Sequence, residues 1–124
     1  PHELSGGMLQ RIITAFAIGL KPELIIADEL TTAIDYISQR EVIKELQSIR
    51  DLFQTSIIFI SHDLSLVSHI ADRVLVMNRG CVVEQWPTAQ VFTRAESEHT
   101  RYLIDTRMQL ITRLRQMTSP AHAA

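Results

Sequence analysis

Apolar side chains recur at Met8, Leu9, Ile12, Ile13, Phe16, Ala17 and Leu20, the i, i+1, i+4, i+5 spacing of one helix face. Lys21-Pro22-Glu23 breaks the pattern, and Leu24-Ile25-Ile26-Ala27 follows as an unbroken apolar run of buried-strand length. A second such run, Ser56–Ile60, leads into Ser61-His62-Asp63. Between the two runs, residues 36–50 alternate with helical period. Val42, Ile43, Leu46 and Ile49 form the apolar side, and Arg40, Glu41, Lys44 and Glu45 the solvent side. Strand, helix, strand in that order predicts a parallel pair joined by a right-handed crossover. Asp63 is placed to cap a short helix carrying Leu64, Val67 and Ile70-Ala71. Residues 73–77 and 81–85 flank Asn78-Arg79-Gly80, a hairpin signal. A short helix over 88–92, a longer one over 99–117 and a frayed tail from Ser119 complete an α/β reading. No repeat, low-complexity tract or linker divides the chain.

Three places along this frame suit chemistry. Ser5 stands as N-cap of the first helix, and Gly6 and Gly7 leave the amides of its opening turn uncovered. Helix N-termini of this kind cradle anions, phosphate most often, although a tight turn is the plainer use of the same residues. Asp28-Glu29 closes the first strand, at the edge where open α/β sheets hold their ligands. The first acid suits Mg²⁺ as a hard oxygen ligand; the second suits a water attacking a phosphoryl group, orienting it or taking its proton. A solvated acidic turn is the plainer alternative. His62 closes the second strand, so parallel pairing delivers it beside the acids.

The order Leu4-Ser5-Gly6-Gly7-Met8-Leu9-Gln10-Arg11, then Ile25-Ile26-Ala27-Asp28-Glu29, then Thr31-Thr32-Ala33-Ile34-Asp35, then Ile60-Ser61-His62-Asp63 resembles the nucleotide-binding subunit of ATP-binding cassette (ABC) transporters. The wording around the first two motifs is similar to the oligopeptide, dipeptide and nickel importer branch. Glu98-His99-Thr100-Arg101-Tyr102-Leu103 resembles that branch's carboxy-terminal extension without its Pro-Tyr. The resemblance implies the carboxy-terminal portion of a P-loop NTPase-like parallel sheet over residues 1–97, and a helical extension and tail over 98–124. It implies ATP and Mg²⁺ as cofactors. Ser5, Gly6, Gly7 and Gln10 match the signature segment that meets ATP held mainly by the partner subunit. Asp28 matches the Walker B aspartate that supports Mg²⁺, and Glu29 the catalytic glutamate. Asp35 matches the D-loop aspartate, and His62 the switch histidine that contacts the γ-phosphate. The implied partners are a second ATPase subunit in a homo- or heterodimer, transmembrane permease subunits and, indirectly, a substrate-binding protein. The implied location is peripheral, on the cytoplasmic side of the inner membrane.

Two departures qualify the match. No G-x-x-x-x-G-K-[ST] loop is present: the glycines are Gly6, Gly7, Gly19 and Gly80, and none precedes a lysine. With Pro1 in place of an initiator methionine, the expectation is the carboxy-terminal half of a longer ATPase, inactive by itself. A natural module supplying a signature loop in trans, and an ABC ATPase without a transport role, are the competing readings. The second departure is Leu30, where the family usually has proline; a Leu30→Pro variant of the longer protein is expected to hydrolyse ATP at least as fast as its parent.

Composition narrows the rest. The 124 residues carry a formal charge of -2, which gives no reason to propose nucleic acid as a partner. Mean hydropathy is +0.09, and no apolar stretch approaches the roughly 20 residues of a transmembrane helix. The lone Cys81 excludes an internal disulfide and reads as a small buried hydrophobe of a strand. Ser65, Ser68, His69 and Asp72 have ordinary helix-surface spacing rather than a hydrolase elbow. Arg101, Arg107, Arg113 and Arg115 make the last helix basic: a solvated helix in the plainer reading, a contact with a membrane subunit or anionic headgroups in the functional one.

Overall fold

The computed structural model describes residues 6–31 and 34–118. Its element order is α1 (Gly6–Leu20), β1 (Leu24–Asp28), α2 (Tyr36–Phe53), β2 (Ser56–Ile60), α3 (Leu64–Ile70), β3 (Arg73–Asn78), β4 (Cys81–Pro87), α4 (Thr88–Arg94) and α5 (Glu98–Thr118). The chain divides into two compact units, residues 1–71 and 72–124.

In the first unit β1 and β2 pair in parallel, with Leu24 opposite Ser56 and Asp28 opposite Ile60. The crossover α2 supplies the centre of the core. Val42, Ile43, Leu46 and Ile49 are all buried, the four positions that helical spacing put on one side. They join Leu9, Ala27, Leu66 and Ile70 in packing that Ile13, Leu30, Ile34, Ile57 and Phe59 extend. Only part of the apolar face expected for α1 is used. Leu9 and Ala17 are buried and Ile13 half-buried, while Met8, Ile12, Phe16 and Leu20 remain exposed. The hydroxyl of Thr14 reaches across to the carboxylate of Glu45 on α2. One face of β1–β2 meets the core through Ala27, Ile57 and Phe59, and the alternate positions Leu24, Ile26, Ile58 and Ile60 are exposed.

The second unit is built on an antiparallel hairpin, β3–β4, with Asn78 opposite Cys81. Its two-residue turn needs positive φ at both centres, and Arg79 (50°) and Gly80 (79°) supply it. Val74, Val76 and Val91 are buried, and α4 lies against the hairpin. Cys81 is exposed, contrary to the burial expected of it. It sits beside the turn of a two-stranded ribbon, most of whose β4 positions have no covering layer. No described helix is long and apolar enough to cross a membrane.

Candidate functional site

The parallel register decides which side chains share an edge. After the last paired residues, Asp28 and Ile60, the ladder continues one step further: the Glu29 amide donates to the Ile60 carbonyl at 2.9 Å. Both chains therefore leave the sheet side by side. Two residues past Ile60, the His62 imidazole returns to Glu29, its Nδ1 lying 3.2 Å from Oε1 and 3.2 Å from Oε2. Nδ1 must carry a proton to donate to a carboxylate, which leaves Nε2 as the nitrogen free to meet a ligand. The pair is open to solvent, the His62 side chain 76% exposed and that of Glu29 40%. Asp28 is exposed on the same edge. The acids and the histidine that the two apolar runs carried to their ends are thus brought together.

Glu29 adopts φ 50°, left-handed backbone that side-chain-bearing residues seldom enter. The turn after it is tied down. Leu30 packs against the core cluster, Thr31 is buried, and the Gln39 side-chain amide donates to the Thr31 carbonyl at 2.9 Å. Asp35 caps α2: its Oδ1 accepts from the Ser38 amide and its Oδ2 from the Ser38 hydroxyl, both at 2.9 Å. Those bonds, the amide's foremost, hold the Asp35 carboxyl below its ordinary pKa. In this structure Asp35 acts as a helix cap. Thr32 and Ala33 of the same motif lie outside the described residues.

Gly6, Gly7 and Gln10 occupy the opening turns of α1, and Ser5, expected as its cap, lies outside the described residues. Among the described residues, a Cβ at Gly7 would meet nothing within 4 Å. Sequence reasoning missed Gln39. A glutamine on a helix carries no mark of an acceptor eight residues upstream; only the fold of the intervening loop puts the two together.

Among the described residues no cluster of three or more His, Cys, Asp or Glu side chains is placed to hold a metal. The edge offers Asp28 as a hard oxygen donor, which fits an ion like Mg²⁺ that takes one or two carboxylates and completes its shell with water and phosphate oxygens.

No family model matches the chain. Individual curated proteins do. The metal-staphylopine import system ATP-binding protein of Staphylococcus aureus is 47% identical over 110 residues, 89% of this chain and 41% of that protein. A probable peptide ABC transporter ATP-binding protein of Sinorhizobium fredii is 42% identical over 105 residues, covering 85% of this chain and 31% of its own length. The oligopeptide transport ATP-binding protein of Bacillus subtilis is 46% identical over 92 residues, 74% of this chain and 26% of that protein. The chain thus spans about two fifths or less of these relatives.

Proposed function

Because the chain belongs to the ATP-binding proteins of ABC transporters, we propose that it is the carboxy-terminal portion of an ATPase subunit that energises import of peptides or of a metal complex such as nickel. The supporting observation is the sheet edge, where Glu29 and His62 meet at 3.2 Å beside Asp28. In this reading the fold is the later part of a P-loop NTPase-like sheet. The loop and lysine that grip the β- and γ-phosphates are supplied by the rest of the protein, since no such motif occurs in these residues.

The roles proposed are those that the family resemblance implies for these residues. Asp28 would hold Mg²⁺ as a hard oxygen ligand, and the ion would supply positive charge beside the phosphates. Glu29, at the open end of the sheet, orients the attacking water and accepts its proton. His62 holds Glu29 through Nδ1 and offers Nε2 to the terminal phosphate. The opening turn of α1, with Ser5, Gly6, Gly7 and Gln10, completes the ATP site of a second ATPase subunit; its amides and dipole favour phosphate. Asp35 starts α2 at the interface between the two subunits. Closure around ATP then works on membrane permease subunits from the cytoplasmic face, with a substrate-binding protein upstream. Peptide and metal importers both occur among the relatives, so the cargo is set outside these residues.

The test is hydrolysis by the full-length protein. Glu29→Gln is expected to lower kcat by about a hundredfold or more while ATP still binds. Hydrolysis at the parent's rate in Glu29→Gln would overturn the reading. A native product of only 14.1 kDa would favour instead a non-hydrolysing module that lends its α1 turn to a partner.

A further inference from the structure

We infer that Gln39 is a positioning residue for hydrolysis, holding from α2 the turn that presents Glu29; the inference rests on the ATPase reading above. Left-handed backbone at a side-chain-bearing residue persists only where its surroundings hold it, and Glu29 has φ 50°. Its amide is fixed to the Ile60 carbonyl, which secures the chain before it. After it, the described residues hold the turn as well. Leu30 is packed against the core cluster, and the carbonyl of Thr31, a residue only 3% exposed, takes the Gln39 Nε2 hydrogen at 2.9 Å. The Ile34 amide approaches the same carbonyl at 3.4 Å, a weaker contact.

Gln39 is also fixed from behind. Its own amide donates to the Asp35 carbonyl at 2.9 Å, in the first turn that Asp35 caps. One half-buried residue therefore joins the end of the Glu29 turn to the start of α2 through its backbone and its side chain. The chemistry is specific. The acceptor is a carbonyl, so the group that meets it must donate; a carboxylate of the same length would repel it. Gln39 acts through Thr31, so its loss shifts where Glu29 points and not whether ATP is gripped.

The experiment uses the full-length protein with Gln39→Leu, Gln39→Glu and Gln39→Lys, the last restoring a donor on a chain of sufficient reach. Expected for Leu and Glu is a roughly threefold to tenfold fall in kcat, the worth of one hydrogen bond. KM for ATP should stay within about twofold. The thermal midpoint should hold, amide exchange over residues 29–31 should quicken, and Lys should recover most of the rate. Parent-like kcat in both the Leu and Glu variants would overturn the inference. So would a rate lost only in step with the thermal midpoint and not recovered by Lys, since that pattern marks support of the fold alone. Glu29→Gln assayed alongside separates the two claims. If it hydrolyses normally, the ATPase reading fails and this inference with it; if it is inactive while the Gln39 variants are normal, this inference alone fails.

Discussion

Glu29 combines the role proposed for it with a backbone that costs about 1 kcal/mol relative to an ordinary conformation. Strain of this sort gathers where geometry serves chemistry. Glu29→Gly should therefore separate stability from activity. Glycine enters φ 50° freely, and the solvent-exposed pair lost with the carboxylate contributes little. The thermal midpoint is expected to hold or rise by a few degrees while hydrolysis by the full-length protein disappears. A clear fall in the midpoint would make the Glu29 side chain structural. Leu30 carries a related prediction. Proline there would remove packing against the core and narrow the backbone choices of Glu29, so Leu30→Pro is expected to lower the midpoint. An unchanged midpoint would mean that the turn is set elsewhere. At this scale the sequence displayed the acids and the histidine, because each stands at the end of an apolar run that pairs with the other. It concealed the conformation of Glu29 and the bond from Gln39, because both depend on how a loop closes.

Elements were more legible than their attachments. Period 3.6 located α2 and its buried side, period-free apolar runs located β1 and β2, and Asn78-Arg79-Gly80 located the hairpin turn. What joins β4 to α5 had no such pattern. Glu84 on β4 accepts from the Trp86 indole at 2.6 Å, the Glu96 amide at 2.6 Å and the Ser97 amide at 3.1 Å. Burial opposes its ionisation, but these donors prevail, with the Thr100 hydroxyl, which lies near although it completes no well-aligned bond. Together they hold the carboxyl at about 2, against 4.5 for an ordinary glutamate. A folded-state pKa below the unfolded one means that the attachment is complete above about pH 4.5 and is lost as pH falls toward 2. Trp86 is the sole tryptophan of these 124 residues and donates to the titrating group, so its fluorescence reports the event. A transition in that window is expected, absent in Glu84→Gln; a transition persisting in the variant would place its cause at another acid.

For the chain as a whole, the decisive fact is a parallel sheet with one face covered. Parallel strands are normally buried on both sides, which is why Leu24–Asp28 and Ser56–Ile60 read as continuous apolar runs rather than alternating ones. Within these residues the core takes Ala27, Ile57 and Phe59, and the opposite face presents Leu24, Ile26, Ile58 and Ile60 at 44–63% exposure. The sequence thus specified a sheet buried on both sides, while none of the described residues covers the second side. The match covers 41% of the staphylococcal relative, consistent with a cover supplied by other parts of such a protein. An apolar patch of four large side chains on adjacent strands is also a site of self-association when left in water. The 124-residue chain by itself is accordingly expected to sediment as oligomers and to bind a hydrophobic dye. Ile26→Lys with Ile58→Lys should shift it toward monomer, because both positions point away from the core. In the full-length protein the same pair is expected to act in the opposite sense, lowering thermal stability by burying two charges. If the double variant improves solubility in both forms, the face is free in the whole protein as well, and the apolar runs of β1 and β2 must answer to a partner outside the chain.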